Sequence, residues 1–192
     1  KTAYEIVDCD WSSDVCSSDL EALRELQARL ASRLQAARAE GMSVAWLAVR
    51  AGGRNYLFPL SQSGEIVPLT QLQPVPYALD WFRGVLNIRG GLFGVVDLAG
   101  FIASSGGGER LEAAVAEPSV VTLNALLEVN CALQIDVLSG LRGADAFTTS
   151  QPPPVEAPAY FGNQFFDASG EQWQEINLRT LSQSPQFLSI SA

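Results

Sequence analysis

Two aspartates, each closing a short and mainly apolar run, are the side chains whose spacing could support chemistry. They are Asp97 and Asp136. A carboxylate pair brought together by the fold could divide general acid and general base roles. An aspartic protease would need Thr or Ser and then Gly after the aspartate, and neither position has that sequence. We therefore expect each aspartate to end a strand and to accept backbone N–H bonds at the next turn or helix start.

Other catalytic and ligand-binding chemistries are excluded by residue type. The 192 residues include no histidine, which removes Ser-His-Asp and Cys-His catalysis and histidine-ligated zinc. Gly90-Gly91 and Gly106-Gly107-Gly108 are not followed by Lys-Ser or Lys-Thr, so neither is a phosphate-binding loop. No acidic run has the spacing of a calcium loop. The sequence therefore predicts no metal and no cofactor.

The cysteines divide between an unusual N-terminal segment and the body of the chain. Residues 1–20 hold Cys9, Cys16 and the only lysine, and their string WSSDVCSSDL resembles translated sequencing-adaptor read-through. We interpret residues 1–19 as a non-native segment or a disordered tail, so these cysteines are not read as a metal or disulfide pair. Cys131 lies alone in an apolar strand pattern, which predicts a buried, inert thiol.

Charge and hydropathy limit the class of partner. Twelve basic residues against 21 acidic ones give a net charge of −9, with no positive excess to neutralise phosphates, so nucleic acid is excluded as a partner. No apolar run reaches the roughly 18 residues of a membrane span, so we expect no direct membrane insertion. With 47% hydrophobic and 17% charged residues, the chain is predicted to form a globular core.

The elements that must position these residues are one helix followed by many short strands. Apolar residues at helical spacing predict an amphipathic helix over residues 20–40. Beyond it, short apolar runs alternate with turn residues, which is typical of small antiparallel barrels rather than a parallel α/β sheet. The predicted strands are Val44–Arg50, Asn55–Leu60, Glu65–Leu69, Val85–Arg89, Leu92–Leu98, Ser119–Leu127, Cys131–Val137, Tyr160–Phe166 and Glu171–Asn177, followed by a short helix at Leu178–Ser182.

Two glycine pairs, Gly52-Gly53 and Gly90-Gly91, predict tight hairpins whose turns need positive φ. The segment Trp81-Phe82-Arg83 precedes the second hairpin. Its residue types dominate interface energetics, but the same residues could equally be core packing with a surface charge. The sequence alone leaves both interpretations open.

A weak internal echo indicates two similar halves. The segment Val95-Val96-Asp97-Leu98 is matched by Gln134-Ile135-Asp136-Val137. In the same way, Ile88-Arg89-Gly90 is matched by Leu141-Arg142-Gly143, although the order of the two matches differs between the halves.

The second hairpin also carries a family signature. Residues 81–98 read WFRGVLNIRGGLFGVVDL and resemble the G-V-x-N-x-R-G-x-x-x-x-V-x-D-L core of the CheW-like chemotaxis adaptor family. Upstream, residues 56–60 resemble the second strand of that family, and Gly64-Glu65-Ile66 its following step. The helix leading into residues 43–47 and the C-terminal segment 170–188 look like the PilI-type branch, the adaptors of the type IV pilus (twitching motility) chemosensory system.

The resemblance implies a mainly β fold of two small five-stranded antiparallel β-barrels with an N-terminal α-helix, forming one CheW-like domain over residues 20–192 with no active site. Such adaptors connect the cytoplasmic tip of methyl-accepting chemoreceptors with a chemotaxis-type histidine kinase, which implies a cytoplasmic location at membrane-associated receptor arrays. The candidate protein-binding residues are Glu65, Ile66, Trp81, Phe82, Arg83, Arg89, Gly90 and Asp97.

Glu65 and Arg89 match charged residues of the family motif. We predict an ion pair between them that holds adjacent strands in register near the partner surface. The second half of the chain departs from the family, because Thr122, Asn124 and Asn130 replace the usual polar alternation there.

Two other functions remain open on the sequence alone. The first keeps the adaptor fold but places it in flagellar chemotaxis. The second is a small β-barrel enzyme or ligand carrier that uses Asp97 or Asp136. That enzyme would need a deep polar pocket containing a carboxylate of raised pKa.

Overall fold

The computed structural model describes residues 45–106 and 118–191. The predicted helix over residues 20–40, the unusual segment 1–19 and its two cysteines lie outside the described residues.

The described residues form eleven strands and three short α-helices, of which the first two follow strands and the third follows the second helix. The strands are β1 (Trp46–Ala51), β2 (Arg54–Pro59), β3 (Ser63–Pro68), β4 (Phe82–Ile88), β5 (Gly91–Asp97), β6 (Ser119–Leu123), β7 (Cys131–Ile135), β8 (Val137–Arg142), β9 (Phe147–Gln151), β10 (Phe161–Asp167) and β11 (Gln172–Ile176). The helices are α1 (Leu98–Ser104), α2 (Leu178–Gln183) and α3 (Pro185–Leu188).

The strands form two sheets. One has six strands in the order β8-β1-β2-β11-β10-β9, and the other has five in the order β3-β6-β7-β5-β4. Neighbouring strands run antiparallel except β11 with β2 and β5 with β7, which are parallel. In the β1–β2 hairpin the Gly52-Gly53 turn has φ values of 56° and 72°, as the glycine pair predicts.

Apolar side chains pack on both faces of the six-stranded sheet. On one face, Trp46, Leu57 and Trp173 are buried and pack with the partly buried Phe147 and Phe165. Apolar side chains on the opposite face are part of the largest hydrophobic cluster. This cluster also contains side chains from the five-stranded sheet and from all three helices. Burial on both faces explains why strands such as β1 are almost continuously apolar rather than alternating.

The predicted mainly β architecture with few helices is confirmed, and several details differ. The first sheet has six strands rather than five, and each sheet includes one parallel pair. The strands β8 and β9 were not expected, because their sequences VLSGLR and FTTSQ lack a clear apolar alternation. The strand predicted over Ser119–Leu127 ends at Leu123, since Asn124 begins a 3-10 turn by accepting a hydrogen bond from the Leu126 N–H.

The internal echo lies mostly within one sheet. The strands β5 and β7 are parallel neighbours in which Val96 is paired with Leu133 and Asp97 with Gln134. The similarity between these segments therefore reflects two interior strands of one sheet. The second match, of residues 88–90 with residues 141–143, instead relates the end of β4 in the five-stranded sheet to the end of β8 in the six-stranded sheet.

Candidate functional site

The β4–β5 hairpin ends in a two-residue turn that presents Arg89. Ile88 pairs with Gly91, so Arg89 and Gly90 are the central residues, with φ values of 50° and 88°. Positive φ at both positions defines a type I′ turn. The sequence placed this turn one residue later, at Gly90-Gly91, but Gly91 already belongs to β5. The Asn87 Oδ1 accepts a hydrogen bond of 3.0 Å from the Gly90 N–H.

A β-bulge in β3 presents Glu65. Ser63 pairs with Leu123 and Ile66 with Val121, so two residues, Gly64 and Glu65, lie opposite the single residue Thr122. The Glu65 N–H donates a hydrogen bond of 2.7 Å to the buried Thr122 Oγ1. A Cβ on Gly64 would overlap that hydroxyl, which explains the glycine at this position.

The predicted ion pair between Arg89 and Glu65 is confirmed, with 3.1 Å between Arg89 Nε and Glu65 Oε2. The prediction that it joins adjacent strands is wrong. Glu65 lies on β3 and Arg89 follows β4, and these are the two edge strands of the five-stranded sheet. The sheet therefore curls until its edges approach each other. With side chains 79% and 46% exposed, the pair contributes less than about 1 kcal/mol to stability.

We call the surface formed by Glu65, Ile66, Arg89 and Gly90 the Arg89 corner. Ile66 lies next to Glu65 on β3 and has an exposed side chain. Leu92, two residues beyond Gly90, is also exposed, although it was not among the candidate residues predicted from the sequence. Leu92 pairs with Asn87 near the end of the hairpin. Because it lies in an apolar strand pattern, the sequence did not indicate that its side chain is exposed.

The other candidate residues lie at the opposite end of the hairpin. Phe82 is partly buried and Arg83 is exposed at the start of β4, roughly 20 Å along the strand from Arg89. Trp81 and Asp97 are buried. The Trp81 ring centroid lies 5.1 Å from that of Phe101 in an edge-to-face arrangement. The fold therefore separates this group from the Arg89 corner and places Trp81 and Asp97 in the interior.

Both aspartates considered for chemistry accept backbone N–H bonds after a strand, Asp97 at the next helix start as predicted and Asp136 from a turn much earlier in the chain rather than from the next one. Asp97 is the N-cap of α1, and its Oδ1 accepts from the Gly100 N–H at 3.2 Å. The Asp136 Oδ2 accepts from the Gly52 N–H in the β1–β2 turn at 2.6 Å. Each carboxylate thus stabilises a different backbone feature.

An open pocket of about 640 Å³ lies against the six-stranded sheet. Tyr56, Gln164 and Gln174 line it from β2, β10 and β11. Burial raises the pKa of Tyr56 to about 12, so its hydroxyl stays protonated at neutral pH. Neither Asp97 nor Asp136 lines this pocket, so it does not have the arrangement that the enzyme alternative requires.

Within residues 45–106 and 118–191, no three acidic or cysteine side chains are grouped so that they could hold a metal ion. In the same part of the chain, no helix has both the length and the apolar character needed to span a membrane.

Comparisons with known proteins agree on the fold. Residues 45–182 match the CheW-like domain family. The chain is 27% identical to protein PilI of Pseudomonas aeruginosa over 165 residues, which cover 85% of this chain and 89% of PilI. Its structure is similar to that of the scaffolding protein TtCheW from Thermoanaerobacter tengcongensis, with a TM-score of 0.58, 17% identity, and coverage of 72% of this chain and 86% of TtCheW.

The family match extends from the beginning of β1 into α2 and includes both sheets, the bulge that carries Glu65 and the turn that carries Arg89. Members of this family are scaffold proteins without catalytic activity. The chain belongs to the CheW-like domain family and is a non-catalytic scaffold protein rather than an enzyme.

Proposed function

We propose that this protein is an adaptor that couples chemoreceptors to a histidine kinase in a type IV pilus (twitching motility) chemosensory system. Its place would be the cytoplasmic side of membrane-associated receptor arrays, with the tip of a methyl-accepting receptor as the second partner. Membership in the CheW-like family supports the adaptor role, and the similarity to PilI along most of the chain favours the pilus circuit over the flagellar one.

The Arg89 corner is the observation that carries this proposal. The Arg89 guanidinium is largely exposed, and its Nε is held by Glu65. A guanidinium has five N–H donors, so the others can meet carboxylate or carbonyl oxygens of a partner. Exposed aliphatic groups at Ile66 and Leu92 add apolar area beside the charge. An arginine held in place by its own chain binds with a smaller entropic cost than a free one.

A second group of candidate residues offers a further contact area. Arg83 is exposed at the start of β4, and Phe82 beside it is partly buried. We propose that a partner covering the outer side of the hairpin reaches both the Arg89 corner and Arg83. Trp81 and Asp97 would then act from the interior by supporting the base of the hairpin, where the Asp97 N–H donates to the Trp81 carbonyl oxygen at 2.8 Å.

Calorimetric titration of the full chain with the CheW-like regulatory domain of the cognate kinase tests the proposal. We expect Arg89→Glu to weaken binding by about tenfold or more, because like charges at an interface are strongly unfavourable. The matched control is Arg179→Glu, which makes the same charge change at the exposed surface of α2 and should leave the affinity within about twofold. Wild-type affinity of a folded Arg89→Glu variant would contradict the role of the corner.

The same kind of titration tests how far the partner-binding surface extends and whether the protein acts in the pilus or the flagellar system. Arg83→Glu should weaken binding if the partner covers the outer side of the hairpin as proposed. Parallel titrations with a pilus-type and a flagellar-type kinase domain compare the two circuits. Tighter binding to the flagellar domain would overturn the assignment to twitching motility.

A further inference from the structure

We infer that Thr122 and Asn87 are positioning residues of the Arg89 corner. Thr122 holds the backbone at Glu65, and Asn87 holds the turn that contains Arg89. In these backbone conformations the two charged side chains reach each other. The binding part of this inference rests on the proposed function, whereas its conformational part does not.

Thr122 acts on Glu65 through the bulge. A bulge leaves a backbone group of the extra residue without a partner in the ladder, and a buried N–H without a partner is unfavourable. Here the Glu65 N–H is satisfied by the Thr122 hydroxyl rather than by a backbone carbonyl. The bulge changes the direction of the strand locally, so that Glu65 meets Arg89 across the open edges of the sheet. Valine at position 122 would keep the shape of threonine but remove the acceptor.

Asn87 acts on Arg89 through the turn. Left-handed backbone is unfavourable for a side chain with a Cβ, and Arg89 adopts it with φ of 50°. The Asn87 carboxamide oxygen accepts from the Gly90 N–H, which links the strand before Arg89 to the residue after it. This bond closes the turn around Arg89 and favours the conformation that directs the guanidinium towards Glu65.

The stability of the Glu65–Arg89 pair does not explain the hydrogen bonds made by Thr122 and Asn87. Glu65 and Arg89 are exposed, and their pair adds little to the folding free energy. Yet the Thr122 hydroxyl accepts from the Glu65 N–H itself, and the Asn87 side chain accepts from the N–H of Gly90, the residue after Arg89. An exposed pair that is already rigid loses less conformational entropy when a partner binds. The positioning by Thr122 and Asn87 therefore affects binding rather than folding.

Nuclear magnetic resonance of the full chain tests the conformational part. The three-bond coupling between the amide proton and Hα of Arg89 reports its φ, and hydrogen exchange of the Gly90 amide reports its hydrogen bond. In Asn87→Ala we expect the coupling to change and the exchange to become about threefold to tenfold faster. Asn87→Asp retains an acceptor oxygen and should restore both values. Wild-type values of both in Asn87→Ala would overturn the role of Asn87.

Calorimetric titration with the kinase regulatory domain tests the consequence for binding. We expect Asn87→Ala and Thr122→Val each to weaken binding by about threefold to tenfold, with recovery in Asn87→Asp and Thr122→Ser, which keep the acceptors. Asn163→Ala, on the exposed side of β10, is the control and should bind as the wild type does. If Thr122→Val fails to fold, Thr122→Ala removes the hydroxyl instead, and the exposed Asn87 variants still decide the role of Asn87.

The outcomes separate this inference from the proposed function. If Arg89→Glu abolishes binding while Asn87→Ala and Thr122→Val bind normally, the proposed function stands and the positioning roles are overturned. If Arg89→Glu binds normally, the proposed function fails. In that case a changed Arg89 coupling and faster Gly90 exchange in Asn87→Ala would still support the positioning role of Asn87.

Discussion

Arg142 and Asp167 form an ion pair that connects the edge strand β8 with β10 near the opposite edge of the six-stranded sheet. Arg142 Nη1 lies 3.2 Å from Asp167 Oδ2, and the guanidinium carbon lies 4.2 Å from the ring centroid of Trp173. The Trp173 Nε1–H donates to the same carboxylate oxygen at 3.2 Å. The three side chains thus hold the two ends of this sheet together.

This arrangement parallels the Glu65–Arg89 pair of the other sheet. Both arginines come from the short sequence echo, and each lies at the end of an edge strand and pairs with a carboxylate from the far side of its own sheet. Their surroundings differ, since the Arg142 and Asp167 side chains are only 27% and 10% exposed. Greater burial and the indole contact predict a structural role for Arg142, in contrast with the binding role proposed for Arg89.

Replacing Arg142 should therefore destabilise the fold more than replacing Arg89. We expect Arg142→Met to lower the free energy of unfolding by about 1–2 kcal/mol, because it removes the contact with the Trp173 ring and the hydrogen bond to Asp167. Arg89→Met is the matched control and should cost less than about 1 kcal/mol. Denaturant titration followed by tryptophan fluorescence measures both values. Equal losses would contradict the distinction between the two pairs.

Stability should fall in acid partly through Asp167. The side-chain hydrogen bond from Ser169, supported by the Glu171 and Ser169 N–H groups and by Trp173, holds the pKa of Asp167 far below its ordinary value. Because the folded pKa is below the unfolded one, this stabilisation is fully present above about pH 4 and is lost as the pH falls below it. The difference in unfolding free energy between wild type and Asp167→Asn should shrink below that pH. A constant difference between pH 7 and pH 3 would refute this.

Tyr77 occupies left-handed backbone with φ of 59° while its side chain is 90% exposed. Such a conformation is costly for a bulky residue, and packing of the ring does not offset it. Asparagine tolerates this region better, so Tyr77→Asn should raise the free energy of unfolding by up to about 1 kcal/mol. Val155→Asn, at another fully exposed position without positive φ, should have little effect. Thermal unfolding of both variants provides the measurement, and a clear loss of stability in Tyr77→Asn would be inconsistent with strain at this residue.

Cys131 should react only when the protein unfolds. The thiol is buried on β7, and burial raises its pKa to about 12, so almost no thiolate is present near neutral pH. In a variant that lacks Cys9 and Cys16, we expect a colourless disulfide reagent to label no thiol in native buffer and one thiol in guanidinium. Rapid labelling of the native protein at pH 8 would show that the site is accessible.

Much of the fold could be predicted because strands and turns depend on neighbouring residues. The glycine pair at Gly52-Gly53 places a turn, and apolar runs such as the one around Val95 mark buried strands. Local patterns failed at β8 and β9, whose residues gain their strand conformation from pairing with β1 and β10 rather than from their own alternation. The one-residue error at Arg89 has a similar origin, since the register of β4 against β5 determines which residues are central in the turn.

The sequence by itself identified the family signature that contains Glu65, Arg89 and the turn glycine, and it excluded histidine chemistry outright. Only the tertiary structure decided that Glu65 and Arg89 meet across the two edges of a curled sheet, that Trp81 and Asp97 turn inward, and that Thr122 completes a bulge. The physical reason is that strand order, curl and burial arise from contacts between segments far apart in the chain, whereas residue type and spacing report only local preference.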